Sequence, residues 1–596
     1  MMLSEYVYNQ FKRMNMCGIA GVVESGKINR QKFQESLLKM NHRGPDGFGI
    51  EVDNNVCIGH NRLSILDLSE SGSQPMKTPC GSVVIAVNGE IYNYKDLKIK
   101  LENKYTFKSE SDSEVILWGY IEWGMEKLLE LIDGMYSISI YDRNKKVVYL
   151  ARDRAGIKPL FYYYNNGTFI WASEIKFIRE YVNELNVDNS ALYDFLTYTY
   201  IPHPKTLYEE VKKLPQASLL TYDINKSGLL VSKYWELDRN ALFDGTYEEA
   251  VERAEYFLTS SVSQQLVSDV PLGVFLSGGV DSTLITSLAR QNQNIDELST
   301  FTIEFKGTSQ DESNYAKWAS EIIGTKHHSK EVYSGDIDHL LEVVDEWYDE
   351  PFHDTSSFPT YEVSKFASMK AKVLLGGDGA DELFGGYNWY QRNNRFRMKQ
   401  DKLLSLYQSF FGINSSICKK INRRVIGKYL SDDLTHLSMI HGSPMPYEKK
   451  LIKSKLGLDS KYDDLWAFRR YEKFYGTNLR KNMQYIDFNM FMVDDVLAKV
   501  DRTSMQNSIE VRVPFLSREL IEFAFSLPES YLYKNGLKSI LKSILRKDFP
   551  VDFIERKKQG FSIPINDWNK VEFQSGYPHE ANLKRWLSSH AKINSL

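Results

Sequence analysis

The spacing of apolar and polar positions changes near residue 240 and divides the chain into two parts. In the first part, short apolar runs separated by Gly, Asn and Asp turns predict strands, including CGIAGVV from Cys17, SVVIAVNGEIYN, MYSISIYD and TFIWASE. Apolar residues three and four positions apart predict helices around Lys32 to Met40 and Ser113 to Glu122. The first part is therefore predicted to be an α+β unit with mainly antiparallel pairing.

The second part alternates long helical stretches with short apolar runs. Strands are predicted at Leu272 to Leu276, Leu298 to Glu304 and Lys372 to Leu375. Such alternation is typical of a parallel sheet covered by helices, with ligands at the carboxyl ends of the strands. Beyond about residue 390 the pattern predicts helix almost throughout. We expect a first domain over 17–210, a connection over 211–240 and a second domain over 241–596.

The composition, charge and cysteine content exclude several classes of protein. The chain has 596 residues, 42% hydrophobic and 26% charged, and no run of eighteen apolar residues, as is typical of a soluble multidomain protein. The net charge is −4, and the Lys and Arg residues are spread along the chain, so no basic domain that could bind nucleic acid is visible. The four cysteines have neither metal-ligand spacing nor disulfide density. We expect a cytoplasmic protein without nucleic-acid or membrane partners.

Two glycine-rich turns follow predicted strands in the second part. In VPLGVFLSGGVDSTLITSLAR, Gly278 and Gly279 allow the backbone to approach a phosphate at the start of a helix, although a serine-capped turn is the plain alternative. In VLLGGDGADELFGGYNWY, Asp378, Asp381 and Glu382 repel one another unless a cation or a positive side chain joins them. This favours a Mg²⁺ site, with a solvated acidic helix start as the alternative.

The motifs together resemble one family. SGGVDS, GGDGADELFGGY, LAKVDRTSMQNSIEVRVPFL and RKKQGFS resemble the synthetase domain of glutamine-hydrolysing asparagine synthetases, and CGIAGVV, HRGPDG, NRLSILDL, VNGEIYN and SDSEVIL resemble their glutaminase domain. The resemblance runs from Cys17 to about Trp568 in the family's order. It implies an N-terminal-nucleophile (Ntn) hydrolase type glutaminase domain with antiparallel sheets, followed by a parallel-sheet ATP-pyrophosphatase-type synthetase domain with a helical C-terminal part.

In the glutaminase domain, the resemblance implies that Cys17 is the nucleophile and that its own α-amine, with a reference pKa near 8, is the base. Asn88 and Gly89 would stabilise the oxyanion, although a hairpin turn is the plain alternative for them. Arg62 would pair with the glutamine carboxylate and Asp112 with its ammonium, where a surface charge and a helix N-cap are the alternatives. The implied pocket lining is Leu63, Ser64, Ile65, Leu66 and Glu90, with His42 and Arg43 in positioning roles.

Sixteen residues precede Cys17, and they lack the apolar region of a signal peptide. A cysteine joined to Met16 has no free α-amine. We therefore expect residues 1–16 to be absent from the mature chain, through translation from Met16 or through cleavage of a leader, and we favour the first route.

In the synthetase domain, the resemblance implies ATP and Mg²⁺. Phe275 and Ile303 would flank the adenine, while Gly376 and Gly377 would approach the nucleotide through their backbone. The pyrophosphate loop would comprise Ser277, Gly278, Gly279, Asp281 and Ser282, and the metal ligands would be Asp281 and Asp381. Lys558 would neutralise charge on the phosphates. Asp378 would act in forming and aminating the acyl-adenylate, but the family often has glutamate there, and this difference puts the acceptor in doubt.

The sequence therefore predicts a ligase that converts ATP, L-aspartate, L-glutamine and water to AMP, pyrophosphate, L-asparagine and L-glutamate. The leading alternative is the same machinery acting on another carboxylate, such as a sugar acid or a peptide. An intramolecular cyclase of the β-lactam synthetase type is disfavoured by Cys17 and the complete glutamine pocket, and an inactive homologue by the completeness of both sites. The expected partners are small-molecule substrates, and a homodimer is an open alternative to a single chain.

Overall fold

The structure is a computed structural model that describes residues 17–44, 46–292, 297–336, 344, 346–391, 433–443, 461–556, 560–564 and 567. Two antiparallel six-stranded sheets occupy the first part of this described chain. Their strands are β1 (Gly18–Val23), β2 (Gly47–Asp53), β3 (Val56–Arg62), β4 (Met76–Lys77), β5 (Val83–Ile91), β6 (Gly134–Asp142), β7 (Val147–Arg152), β8 (Phe161–Asn165), β9 (Thr168–Ala172), β10 (Val211–Lys213), β11 (Ser218–Asp223) and β12 (Gly228–Lys233).

The strand orders are β10-β8-β9-β1-β3-β2 and β12-β11-β7-β6-β5-β4. A connection was predicted over residues 211–240. In the structure, these residues contribute β10, β11 and β12 to the two sheets. β10 pairs with β8, and β11 pairs with β7. The polar residues within VKK and the exposed face of GLLVSK weaken the apolar pattern of these strands, so tertiary pairing determines their structure.

Side chains alternate across β1 because successive residues of a strand point to opposite faces. Ile19 and Val23 pack between the two sheets, against side chains of β5 such as Val84. Ala20 and Val22 pack on the other face, against helices. Helices thus cover the outer faces of two stacked sheets, and the predicted antiparallel α+β domain is confirmed. The helices are α1 (Arg30–Leu38), α2 (Tyr94–Leu101), α3 (Glu114–Leu131), α4 (Ile175–Val182) and α5 (Asn189–Tyr198).

Local signals explain where two of these helices begin and bend. Asn29 precedes α1, and its side chain accepts a hydrogen bond from the Lys32 amide, which satisfies one donor of the first turn. α3 extends beyond the predicted segment around Ser113 to Glu122. It bends at Gly124, whose φ of 75° produces a kink, and then continues to Leu131.

The second part contains a parallel sheet of five described strands in the order β15-β14-β13-β16-β17. The predicted parallel-sheet domain is thereby confirmed, and the three predicted strands are observed with ends shifted by at most one residue. β17 has no apolar run in the sequence, since two of its three residues are charged. The strands are β13 (Leu272–Phe275), β14 (Ser299–Glu304), β15 (Lys326–Glu331), β16 (Val373–Leu375) and β17 (Glu510–Arg512).

Helices surround this sheet and form most of the described C-terminal part. A π-helical segment, Met492–Val496, runs directly into α14. The helices are α6 (Tyr247–Gln265), α7 (Val280–Arg290), α8 (Ser313–Ile323), α9 (Ser357–Ala367), α10 (Ala380–Phe384), α11 (Asp433–Ile440), α12 (Trp466–Arg469), α13 (Leu479–Asn489), α14 (Leu497–Met505), α15 (Arg518–Ser526), α16 (Glu529–Leu532), α17 (Ser539–Leu545) and α18 (Val551–Ile554). Across the described ranges, no helix has the length and apolar character needed to span a bilayer.

A small apolar cluster, here called the junction cluster, joins the two parts. Leu63 and Ile65 of the first part are buried with Val373 and Met505 of the second part, and Cys17 packs against them. The nucleophile predicted from the sequence therefore lies at the boundary between the two domains.

Candidate functional site

Cys17 lies immediately before β1, beside the loop that follows β3. The Leu63 amide donates to Cys17 Sγ at 3.3 Å, and the thiol lies 3.5 Å from the Leu63 carbonyl oxygen, to which it donates. Burial raises the pKa of the Cys17 thiol to about 12. Because a thiolate is the reactive form of cysteine, the predicted nucleophilic role of Cys17 would require a base that removes the thiol proton.

Asn88 and Gly89 lie within β5, where they pair with Ser137 and Tyr136 of β6, rather than in a hairpin turn. Gly89 has a φ of 145°, and a Cβ at this position would lie 1.9 Å from the Met135 carbonyl oxygen. The strand pairing therefore requires glycine at this position.

Ser173 connects Asn88 to the strand that begins after Cys17. Its hydroxyl oxygen accepts from the Ile19 amide at 3.0 Å and lies 3.5 Å from Asn88 Nδ2, which donates to it. The Asn88 amide group is thereby held beside the first residues of β1. Ser173 was not predicted from the sequence, and its only signal is its position directly after the strand TFIWA.

Two carboxylates are buried next to each other at the end of β5. Asp112 Oδ2 accepts from the Ile91 amide at 2.6 Å, and Asp112 does not cap α3, whose N-cap is Ser113. Burial raises the pKa of Asp112 to about 6. Burial, reinforced by the charge of Asp112, raises the pKa of Glu90 well above its usual range. Arg512 Nη2 lies 3.4 Å from Glu90 Oε1 and its charge lowers both pKa values, so the two carboxylates already have one positive neighbour. Two buried carboxylates beside one arginine can still accept a second cation, such as an ammonium group.

The Arg62 guanidinium is held inside a loop rather than extended into solvent. Nη1 donates to the Ser69 carbonyl at 2.7 Å, and Nη2 donates to the Asp67 carbonyl at 2.5 Å. The Glu110 amide donates to Asp67 Oδ2 at 2.9 Å, so this loop lies against the segment that leads to Asp112. The structure thus brings the elements that carry Arg62 and Asp112 together, without direct contact between the two side chains.

The predicted lining residues Leu63 to Leu66 follow β3. Leu63 and Ile65 are buried in the junction cluster, and Leu66 packs against it. Ser64 is not in this cluster, and its main-chain amide donates to Asp46 Oδ2 at 3.1 Å.

The predicted pyrophosphate loop connects β13 to α7. Gly278 has a φ of 74°, and a Cβ there would lie 2.6 Å from the Ala316 amide nitrogen, so the loop requires glycine at this position. The Ser277 and Ser282 hydroxyls lie 3.0 Å apart, and the Gly279 amide donates to Ser277 Oγ at 3.3 Å. Asp281 is in the first turn of the eleven-residue helix α7. The glycines and the helix start thus form the compact turn that the sequence predicts.

The second glycine turn lies beside the first one because β13 and β16 are neighbouring parallel strands. The Gly376 amide donates to the Arg512 carbonyl at 2.8 Å. A Cβ on Gly377 would lie 3.0 Å from Cβ of Asp281, which shows how closely the two turns approach.

The two residues predicted to flank the adenine lie at the same edge of the sheet. Phe275 ends β13 opposite Phe301 of β14, and Ile303 lies two residues further along β14. This edge is formed by the carboxyl ends of the strands, where doubly wound α/β proteins bind their ligands.

Lys538 joins the carboxylates of the two turns. Its ammonium contacts Asp281 and lies 2.7 Å from Asp381 Oδ1. Glu382, which the sequence groups with Asp378 and Asp381, is buried elsewhere, where the Tyr387 hydroxyl donates to it at 2.7 Å. A positive side chain, the expected alternative to a cation between these carboxylates, is therefore present. Its identity could not be predicted because Lys538 is far from both motifs in the sequence.

The described residues hold no group of three or more His, Cys, Asp or Glu side chains suited to a metal ion. Mg²⁺ nevertheless commonly uses only one or two protein carboxylates together with substrate phosphates. Asp281 and Asp381 fit this pattern, since both reach the single Lys538 ammonium and so can reach one small cation.

Asp378 lies close to a second lysine. Burial raises the pKa of the Asp378 carboxyl, and the positive charge of Lys499 partly opposes this rise. Lys499 Nζ lies 3.2 Å from Asp354 Oδ2 and donates to Ser356 Oγ at 2.9 Å. Lys499 lies in the motif segment LAKVDRTSM, and no role was predicted for it, although a charged residue in a largely buried helix is a usable signal.

The predicted Lys558 lies outside the described residues. The described part of the same motif reaches the pyrophosphate loop, because Arg556 donates to the Gly278 carbonyl at 3.0 Å and pairs with Glu312.

Comparison with known proteins identifies both parts of the chain. Residues 253–580 match the family described as Asparagine synthase, and residues 16–235 match the Glutamine amidotransferase domain. Asparagine synthetase [glutamine-hydrolyzing] 1 of Bacillus subtilis is 33% identical over 94% of this chain and 88% of its own length. A putative asparagine synthetase [glutamine-hydrolyzing] 2 of Methanocaldococcus jannaschii is 34% identical over 84% of this chain and 100% of its own. The chain therefore belongs to the asparagine synthase family and carries an N-terminal glutamine amidotransferase domain.

Proposed function

We propose that this chain is a glutamine-dependent asparagine synthetase, which converts L-aspartate to L-asparagine with ammonia from L-glutamine and energy from ATP. One observation carries the proposal beyond family membership. The junction cluster that contains Cys17 includes Val373, the first residue of β16, and the Gly376–Gly377 turn follows the last residue of the same strand. At about 3.3 Å per residue, β16 spans roughly 10 Å. A nucleophile pocket and a nucleotide turn at opposite ends of one short strand suit a reaction that passes ammonia between them.

In the glutaminase step, Cys17 attacks the side-chain amide of glutamine. With Cys17 as the first residue, its α-amine takes the thiol proton, which the high pKa of this thiol makes necessary. Asn88 Nδ2 and the Gly89 amide stabilise the oxyanion. Asp112, assisted by Glu90, binds the ammonium of glutamine, while Arg62 faces its carboxylate. Hydrolysis of the thioester then yields glutamate.

In the synthetase step, the acceptor carboxylate displaces pyrophosphate from ATP and forms an acyl-adenylate. The Ser277–Ser282 loop and the start of α7 hold the phosphates, with the adenine between Phe275 and Ile303. Mg²⁺, held by Asp281 and Asp381, would neutralise phosphate charge. Lys538 keeps these two carboxylates together, and Lys558 is assigned to the phosphates by the family resemblance. Asp378, with its raised pKa, is suited to proton transfer as ammonia attacks.

Ammonia passes between the sites through the domain junction. A cavity there is lined mainly by apolar side chains, with Lys158, Asp501 and Ser504 at its polar positions. An enclosed path keeps ammonia from being protonated in bulk water. The apolar lining residues are Ile157, Leu497, Val500, Val511 and Val513.

The cysteine composition supports a cytoplasmic location, and we propose small molecules as the partners of both sites. A homodimer remains the alternative to a single chain.

The proposal is tested with purified protein supplied with ATP, Mg²⁺, glutamine and aspartate. We expect asparagine, glutamate, AMP and pyrophosphate in equal amounts. Glutamate and AMP formation that depends on another carboxylate, but not on aspartate, would support the alternative acceptor instead. No glutamate formation by a chain that begins at Cys17 would contradict the glutaminase assignment itself.

A further inference from the structure

The main-chain carbonyl of Cys17 is held by a side chain that the second domain fixes in place. Arg43 Nε donates to this carbonyl at 3.2 Å. The Arg43 side chain is fully buried, and its Nη1 and Nη2 donate to the two oxygens of Asp501 at 2.8 and 3.0 Å. Asp501 belongs to α14, more than 450 residues away in sequence. A carboxylate of the synthetase domain thus orients the arginine that contacts the backbone of the glutaminase nucleophile.

The surroundings of Arg43 make this geometry depend on Asp501. Arg43 also donates to Glu174 at 2.9 Å, but Glu174 is shared with Arg502, His42 and Lys176. Asp501, in contrast, provides the two parallel bonds of a bidentate pair, which fix the plane of a guanidinium. A buried arginine that loses its bidentate partner must find a new one, and it is then expected to turn away from the Cys17 carbonyl.

α14 also contacts the other site. Lys499 and Asp501 are two residues apart, so they point about 200° apart around a helix with 3.6 residues per turn. Lys499 faces Asp354 and Ser356 near Asp378, whereas Asp501 faces Arg43. α14 therefore carries Lys499, near the synthetase site, and Asp501, near the glutaminase site, on opposite sides of one helix.

We propose that Asp501 is a positioning residue for the glutaminase reaction, which acts through Arg43 to fix the Cys17 backbone and hence the direction of its thiol and α-amine. This inference rests on the proposed function. It gives the synthetase domain a direct part in the geometry of glutamine hydrolysis, through a residue that neither binds glutamine nor contacts the thiol.

A double-mutant cycle tests the inference, with glutamate formation as the readout so that transfer of ammonia does not matter. In Asp501→Asn, we expect kcat to fall at least tenfold while KM for glutamine changes less than threefold, because Arg62 and Asp112 are untouched. ATP–pyrophosphate exchange, which uses no ammonia, should stay within twofold in the same preparation, which shows that the second domain is folded. In an Arg43→Met background, Asp501→Asn should change kcat less than twofold, since the residue it acts through is absent.

Two further variants separate positioning from a general structural role. Arg43→Lys keeps the charge but loses the Nε donor and the bidentate pair. A lysine at position 43 should therefore not support the parental kcat for glutamate formation. Glu522→Gln removes a carboxylate that accepts from Trp235 across the domain boundary, away from Cys17, and should leave both activities unchanged.

Unchanged glutamate kcat in Asp501→Asn, equal losses with and without Arg43, or a parallel loss of pyrophosphate exchange would each overturn the inference. Failure of the proposed function would be seen earlier, as absence of glutamate formation by the parent protein.

Discussion

Glutamine binding should depend on pH through Asp112, whose pKa burial raises to about 6 from a reference of 3.8. Because Asp112 is proposed to bind the ammonium group of glutamine, the proton on Asp112 must leave before glutamine binds well. With a pKa of about 6, roughly one molecule in eleven carries the charge at pH 5, and most carry it at pH 7. The Kd for glutamine should therefore rise about tenfold from pH 7 to pH 5. Since the pKa of neighbouring Glu90 is also raised, this titration belongs to the pair.

The raised pKa of Asp112 also changes the free energy of unfolding with pH. A carboxyl whose pKa is higher in the folded than in the unfolded state stabilises the fold below pH 4, and that contribution is lost as pH rises through 6. A shift of about 2 units corresponds to roughly 3 kcal/mol. Asp112→Asn, which cannot ionise, should therefore be more resistant to thermal unfolding at pH 7 than the parent protein, although it binds glutamine weakly.

Isothermal titration of glutamine into Cys17→Ala protein measures binding without hydrolysis. At pH 6 we expect release of about half a proton per glutamine bound, detected as a dependence of the heat on the ionisation enthalpy of the buffer. Asp112→Asn in the same background should show weak binding that does not change with pH. A Kd that stays constant from pH 5 to pH 7, or tight binding by Asp112→Asn, would show that Asp112 does not bind the glutamine ammonium.

Three other substitutions address the synthetase turn and the strand that carries the proposed oxyanion groups. Asp281→Asn should abolish pyrophosphate exchange while glutamate formation stays within twofold, and exchange at the parental rate would show that the nucleotide site is misplaced. Lys538→Met leaves Asp281 and its partner carboxylate without their buried cation, so amide synthesis should fall more than 100-fold, whereas the exposed Lys534→Met should have no effect. Gly89→Ala places a Cβ against the Met135 carbonyl and should cost more than about 3 kcal/mol, seen as a lower unfolding temperature than in Gly26→Ala, where a Cβ meets no atom within 4 Å.

The strands, turns and domain types that could be predicted from the sequence are those that local patterns of residues determine. The strands β13, β14 and β16 are bounded by turns that the amino acids specify, and Gly278, whose turn is predicted from its two glycines, has a positive φ. The two domain types follow from the change in apolar spacing. β17 was not predicted, because a strand with two charged residues forms only through pairing with β16 and the partners of Glu510 and Arg512.

The site was predictable only where a motif contains the residue. Cys17, Asp281 and Asp381 lie in compact motifs, whereas Lys538 contributes its charge from more than 150 residues away. Asp501 lies in a quoted motif, but its role depends on a contact with Arg43 that sequence spacing does not reveal. Long-range ion pairs of this kind are set by the docking of the two domains, so no local periodicity indicates them.

Cys17→Ala provides the decisive test of whether one chain carries two separable reactions. Asparagine formation is measured in the same preparation with glutamine and, separately, with an ammonium salt as the nitrogen source. We expect glutamine-dependent synthesis to fall below detection, because the thiol nucleophile is gone, while ammonia-dependent synthesis stays within twofold of the parent protein. Retention of glutamine-dependent synthesis, or equal loss of both activities in a folded protein, would contradict the claim.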